Sequence, residues 1–374
     1  MLILGRKKHP LLGIDISSTA IKLVELARTG SYSAGLYRVQ AFAHELLPPA
    51  AVTEKKIADI EAVGTAIRKA VTRSRSKARH AAVAVAGSAA ITRVISLPVN
   101  LSDAEIQAQI QLEADQYIPY PLEEVNIDFD VIGPSANGND LVDVLLAASR
   151  RENVDDRVAV LDIAGLTPEI VDIETYAMER ACLLQLERAP TFVAKSPTIH
   201  LGKDGRPPAA EKHIVAVVDV GAASTNLHVI YNGKIVYTRE QNFGGNQLLD
   251  EIQRRCDVPR DEARLKLIRG GLPENTETEV IGPFKEALAQ QIGRGLQFFY
   301  SASSYGRINQ LLLAGGAAGI SGIDELVEQR LEFPVEIANP FADMTSASVV
   351  DAEALKRVAP SMMIAVGLAL RGFD

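Results

Sequence analysis

The sequence predicts a duplicated, two-lobed α/β fold, and three observations carry that expectation. A chain of 374 residues exceeds what one ordinary core accommodates, so two large units are expected. Strand-like and helix-like periods alternate along most of it. The segment GIDISSTAIKLVEL at residues 13–26 returns at 217–231 as VVDVGAASTNLHVIY. Both read as strand, Asp, two-residue step, small polar turn, strand. A repeat about 200 residues away is the spacing of two lobes of one duplicated fold.

The elements follow in order. Residues 11–26 read as two strands around a tight polar turn, and 37–46 continue as a strand. Residues 55–71 carry helical spacing, with Ile57, Ile60, Val63 and Ile67 on one face. Residues 81–86, AAVAVA, form a short buried strand, and 91–97 another that Pro98 stops. Ser102 opens a helix through a capping box with Glu105; Ile106, Ile110 and Tyr117 line one face, and Pro119 and Pro121 end it. Residues 126–132 and 141–148 alternate as a hairpin around 136–139. A helix is expected at 154–164, a strand at 168–173 and a helix at 175–185. Residues 189–212 are rich in Pro, Gly and Lys and read as a loop or hairpin tip between the lobes. Strands follow at 214–220, 226–231 and 234–239, then a helix from Gln247. Residues 281–301 form a long amphipathic helix with Phe284, Leu288, Ile292, Leu296 and Phe299 in its stripe. A strand at 310–313, a helix at 324–331 and a helical end at 366–370 complete the chain.

Composition excludes several function classes. The net charge of -8 is the wrong sign for a chain that lives on phosphate backbones, so nucleic acid is not an expected partner. The basic run at 73–79 reads as a solvated loop rather than a binding patch. Cys182 and Cys256 lie far apart without a CxxC, which with no secretory segment implies a reducing compartment. No apolar run approaches the roughly 18 residues of a membrane span. Residues 1–8 read as a frayed terminus. The six histidines are scattered without metal-ligand spacing.

The two small polar turns carry the chemistry. A hairpin tip made of Ser17, Ser18 and Thr19 presents amides and hydroxyls with no bulky side chain, a nest for phosphate oxygens. Lys22, just past it, adds a positive charge. The second tip, Gly221, Ala222, Ala223, Ser224 and Thr225, is its equivalent, and two facing tips would clamp a polyphosphate. Asp15 and Asp219 end the strands before each tip; carboxylates avoid phosphates, so they are expected to hold Mg²⁺ or its waters. Gly315, Gly316 and Ala317 follow a strand, where glycine lets a flat adenine or its sugar approach the backbone. Glu262 and Lys266, four apart, either bond a ribose and base edge or pair with each other on a helix surface.

Together these residues resemble the actin-like ATPase superfamily, whose first phosphate motif is similar to residues 15–22, second to 219–225, and adenosine motif to 312–318. The resemblance narrows to the PilM family of type IV pilus assembly proteins, on LLGIDISSTAIKLVEL at 11–26, on residues 91–132 and on VDIETYAMERA at 171–181. It implies an actin-like (ribonuclease H-like) duplicated two-lobe α/β fold with an FtsA-type small subdomain. The implied division is a first lobe core of 1–88 with 162–188 and 358–374, and the small subdomain of 89–161. A second lobe core of 189–250 with 307–357 follows, with a helical subdomain at 251–306. Residues 174–186 and 365–371 would connect the lobes. The implied cofactors are ATP and Mg²⁺, and Gly245 joins the nucleotide contacts above. Ser17 departs from the superfamily, which usually has Gly there; its side chain either tightens the hairpin or supplies a hydroxyl to phosphate, which bears on hydrolysis more than on binding.

A scaffold is implied rather than a metabolic enzyme, with weak or absent ATPase activity, at the cytoplasmic face of the inner membrane. Its implied partner is the N-terminal cytoplasmic segment of PilN, held in a groove, with the pilus motor ATPases and further copies of itself as others. Ile110, Ala114, Tyr117 and Ile118 are candidates for that groove or for the packing of their own subdomain. The alternative is a filament-forming cytoskeletal ATPase of the FtsA or MreB kind. A small-molecule kinase is less favoured, because beyond Asp219 and Glu174 no pairing supplies a base and a substrate pocket.

Overall fold

The computed structural model describes residues 9–29, 36–186 and 214–374. The expected frayed start and the loop expected at 189–212 lie outside the described residues. Strand β1 (Leu11–Ile16) is buried at every position, as its segment LLGIDI, apolar but for Asp15, suits a strand covered on both faces. It forms an antiparallel meander with β2 (Ala20–Arg28) and β3 (Tyr37–Leu46). A two-stranded hairpin, β4 (Val52–Thr53) with β5 (Lys56–Ile57), leads into α1 (Ile60–Ser74) and β6 (His80–Val85), which lies parallel to β1.

A small subdomain follows: β7 (Ala90–Pro98), α2 (Asp103–Tyr117), β8 (Val125–Pro134) and β9 (Leu141–Arg150), its sheet ordered β7-β9-β8. Helix α3 (Arg151–Ala164) and β10 (Thr167–Ile173), parallel to β6, return to the first sheet, and α4 (Glu174–Leu186) leaves it.

The second sheet repeats the first. Strands β11 (Ile214–Val220), β12 (Thr225–Tyr231) and β13 (Lys234–Gln241) form the same antiparallel meander. Helices α5 (Gly245–Cys256), α6 (Arg260–Arg269) and α7 (Gly282–Ala302) precede β14 (Gln310–Ala314), parallel to β11. Helix α8 (Ile323–Leu331) and β15 (Val335–Ile337), parallel to β14, complete it. The orders β10-β6-β1-β2-β3 and β15-β14-β11-β12-β13 are the same arrangement twice. Two-residue β16 (Thr345–Ser346) pairs with β3, and α9 (Ala352–Val358) leads to α10 (Met363–Leu370).

Helix α10, sequence MIAVGLAL, has no polar face because neither side meets water. Its buried residues share one core with Val24 and Val39 of the first sheet, Val215, Val217 and Leu312 of the second, and Met178 and Cys182 of α4. Two glycines make this approach possible. A Cβ on Gly13 would lie 2.1 Å from the Ala365 carbonyl, and one on Gly367 would lie 1.8 Å from the Ala177 carbonyl.

Four expectations need correction. Helix α1 starts at Ile60, not 55: Asp59 caps it by accepting from the Ala62 amide at 2.9 Å, while Glu54 and Lys55 turn the chain at φ 50° and 63°. Ile57 imitated a helical stripe because it is buried in the same core, from a strand. Residues 151–161, assigned to the small subdomain, lie in α3, where Val160 and Leu161 share the core of Val63 and Ile67 in α1. Residues 345–346, assigned to the second lobe, join the first sheet at β3. Finally, Ile110, Ala114 and Ile118 offer no groove surface. They are 2%, 0% and 3% exposed and pack inward on their own sheet, since α2 has only that one apolar face to bury. Tyr117 is half-buried and donates to Glu113 at 2.9 Å. The Ser102–Glu105 capping box forms as expected: Glu105 accepts from the Ser102 amide at 2.8 Å and also from its hydroxyl at 2.7 Å.

The α10 contact predicts a large mutational effect. Gly367→Ala should lower stability by about 3 kcal/mol or more, because the added methyl meets backbone that cannot rotate away. Gly138→Ala, whose Cβ would sit 3.5 Å from a leucine methyl, is the control. Urea denaturation of both checks this; equal midpoints would contradict the packing account.

Candidate functional site

The repeat brings the two polar turns to equivalent places. In the first, the Ser17 amide donates to the Ala20 carbonyl at 3.0 Å; in the second, the Gly221 amide donates to the Ser224 carbonyl at 2.9 Å. The amides of Ser18, Thr19, Ala222 and Ala223 have no backbone partner among the described residues. Each tip thus presents free donors, the property a phosphate nest needs. Ser17 answers the question its position raised. Its hydroxyl donates to the Ala20 carbonyl at 2.9 Å and accepts from the Ala20 amide at 3.2 Å, so it tightens the hairpin rather than reaching outward.

Cross-strand register then sets the electrostatics. Asp15, Lys22 and His44 stand directly opposite one another across β1, β2 and β3. Asp219, Asn226 and Glu240 form the matching row across β11, β12 and β13. Side chains in directly opposite register share one face of a sheet. In the first row, Lys22 Nζ bonds Asp15 Oδ2 at 2.8 Å with both groups largely buried. Burial works against the Lys22 ammonium, yet Asp15 and Asp219 outweigh it and hold its pKa above the ordinary value. In the second row the position of Lys22 is taken by Asn226, so Asp219 has no such partner. Its carboxylate makes no hydrogen bond among the described residues, and burial raises its pKa, with Lys22 opposing. An unpaired, half-buried carboxylate beside a lysine suits a cation with its own hydration shell.

Glu174, the first residue of α4, lies in the same cleft. Burial pushes its carboxyl up to about 7, and the Asp15 charge adds to the effect against Lys55 and Arg157. A cavity of about 210 Å³ continues from Asp219 past Glu174, Asn226 and His228 to Lys55 and Glu240. Burial lowers His228 to about 4, leaving its ring neutral and bonded to Thr238 at 3.0 Å. His44 is lowered to about 4 as well, by burial and then by Lys22.

Other expected site residues divide by the direction they face. Ser224 is nearly buried. Thr225 points inward, its hydroxyl donating to the Phe243 carbonyl at 2.7 Å. The Gly245 amide, at the start of α5, donates to the Gly221 carbonyl at 2.9 Å and ties the helix to the second tip. Gly315 at φ 91° lets β14 end against Asp219: a Cβ there would lie 2.6 Å from the Asp219 carboxylate and 2.4 Å from the Val220 carbonyl. Gly316 faces open space, whereas Ala317 is buried in the second core. Glu262 and Lys266 bond each other at 2.9 Å on the surface of α6, the plainer of their two readings.

Lys55, Ser88, Glu240 and the two cleft histidines escaped the sequence reading. The tip Glu54–Lys55 has neither Gly nor Asn, so the hairpin carried no turn signal. The row position of Glu240 was available in principle, by aligning the two repeats and extending each row one strand further.

The fold is the actin-like, ribonuclease H-like duplicated α/β fold. The chain resembles the solved PilM–PilN type IV pilus biogenesis complex at 25% identity and TM-score 0.77, covering 98% of this chain and 99% of that one. The ethanolamine utilization protein EutJ from Carboxydothermus hydrogenoformans is similar in fold, at 15% identity and TM-score 0.53, covering 99% of this chain and 92% of that one. The sequence profile described as type IV pilus assembly protein PilM matches residues 13–373. Because that match spans nearly the whole described chain, the protein belongs to the PilM family of type IV pilus assembly proteins.

Proposed function

We propose that this protein binds Mg-ATP in the cleft between its two sheets and acts as a scaffold of the type IV pilus inner-membrane complex. The observation that carries the nucleotide reading is the pair of matched tips with free amides, flanked by one paired and one unpaired aspartate. Asp219, unpaired and half-buried, fits as the group that holds a hydrated Mg²⁺, while Asp15 instead orients Lys22 toward the cleft. When bound, the metal neutralises phosphate charge that the acidic cleft would otherwise repel. The tip amides of Ser18, Thr19, Ala222 and Ala223 and the Lys22 ammonium bind the phosphates, and Gly316 leaves room for the nucleoside. Ser17, Thr225, Gly315 and Ala317 shape the site through the backbone.

The partner reading rests on the likeness to a complex that contains PilN. In this reading the chain captures the N-terminal cytoplasmic segment of its own PilN at the cytoplasmic face of the inner membrane and couples it to the pilus motor. No helix among the described residues is long and apolar enough to cross a membrane, so attachment would run through that partner. ATP would favour a closed arrangement of the sheets, and a differential affinity for open and closed states is what could alter partner binding.

Isothermal titration calorimetry tests the nucleotide site. Asp219→Asn should weaken Mg-ATP binding and abolish the advantage of Mg²⁺ over EDTA. Lys22→Gln should cost about 1.5–3 kcal/mol, roughly ten- to a hundredfold in affinity, with folding checked by circular dichroism. Wild-type affinity in both folded variants would overturn the assignment. The scaffold reading is tested with a fluorescent peptide of the PilN N-terminal segment. Saturable binding that shifts with Mg-ATP is expected; no binding, with or without nucleotide, would contradict it.

A further inference from the structure

Lys55 and Glu240 meet across the cleft. Lys55 stands at the tip of the β4–β5 hairpin, beside the first sheet, and Glu240 near the end of β13 in the second sheet. Their Nζ and Oε1 atoms are 2.6 Å apart, with side chains 25% and 29% exposed. Three further observations single this contact out. First, the tip places Glu54 and Lys55 both in the left-handed region, at φ 50° and 63°, where Asn and Gly are the preferred residues. Keeping two long side chains there costs stability, and strain of this kind persists where the surrounding contacts over-determine it. Second, Glu240 stands directly opposite Asn226, the residue that follows the second tip, and shares the lining of the cavity with Ser88, after β6. Glu240 is therefore placed between the hairpin, the end of β6 and the second tip. Third, Lys55 and Glu240 both line the cavity that ends at Asp219.

We propose that the Lys55–Glu240 ion pair is a latch that holds the two sheets closed over the cleft, and that the pairing of Glu240 with Asn226, next to the second phosphate tip, links the state of the latch to that tip. The latch stands on the geometry alone; its link to the tip rests on the nucleotide reading above. Asn226, opposite Glu240, directly follows a turn whose amides would receive phosphate, so a ligand at that turn and the latch influence each other in both directions.

Double electron–electron resonance on the full chain tests this, with spin labels at Lys69→Cys in α1 and Gln329→Cys in α8, and with Cys182→Ala and Cys256→Ser to remove native thiols. Without nucleotide, Lys55→Ala and Glu240→Gln should each raise the population of longer distances roughly fivefold, the loss expected when one partner of a half-buried pair goes. The double variant should open no further than either single one, and the reversed pair Lys55→Glu with Glu240→Lys should restore the short distance. Distances unchanged in both single variants, or additive effects without restoration by reversal, would overturn the latch. Apparent Mg-ATP affinity should fall by the same factor as the closed fraction. Opening with unaltered affinity would overturn the link to the tip. Wild-type protein that binds no Mg-ATP at all would remove the nucleotide reading while leaving the latch measurable from the nucleotide-free distances.

Discussion

The close approach of α10 to β1 and α4 is the constraint on which the rest of the structure depends. The helix is apolar all round and lies in the core that the two sheets share, so it cannot leave without exposing both. Gly13 and Gly367 let three backbones meet at distances no side chain would allow. Burying a single Leu or Ile is worth about 1.5–3 kcal/mol, and the shared core holds many such side chains. The relative placement of the two polar tips follows from that packing. Arg180 adds to it by donating to the Gly367 carbonyl at 3.0 Å and to Asp172 at 3.3 Å, which fixes α4 against α10.

Duplication gives the cleft its near symmetry, and differences between the copies at two row positions, Lys22 against Asn226 and His44 against Glu240, break it. Lys22 in the first row becomes Asn226 in the second. The first aspartate is consequently paired within its own sheet, and the second is left unpaired. Neither sheet alone makes a polyphosphate site: one contributes the cation, the other the carboxylate suited to a metal. This division of labour supports a ligand that bridges the sheets, and it makes closure of the cleft part of binding rather than a consequence of it.

Much of the architecture was legible because the signals were local. Runs apolar but for one aspartate marked β1 and β11, the Ser102–Glu105 spacing marked the start of α2, and the stripe from Phe284 to Phe299 marked α7. Repetition of the Asp turns revealed the duplication. Misreadings arose where tertiary contacts overrode local pattern. Ile57 sat in helical register with α1 yet belongs to a hairpin whose turn lacks Gly and Asn. The apolar face of α2 looked available to a partner, but the three-stranded sheet beneath it needed that face. At the site, residue type located the tips, whereas side-chain direction was invisible: Thr225 and Ala317 face inward, and Glu262 prefers Lys266. Lys55 and Glu240, 185 positions apart by their numbers, were out of reach because no local feature announces a contact across a cleft.

The claim at the centre of this account is that both tips bind one nucleotide. Hydrogen–deuterium exchange at residues 17–20 and 221–224, with and without Mg-ATP, measures it most directly, since amides that donate to phosphate exchange more slowly. Slowed exchange at both tips on adding Mg-ATP, absent when EDTA is present, is the predicted result. Unchanged exchange at both tips, or protection confined to one of them, would contradict a site built from the two sheets together.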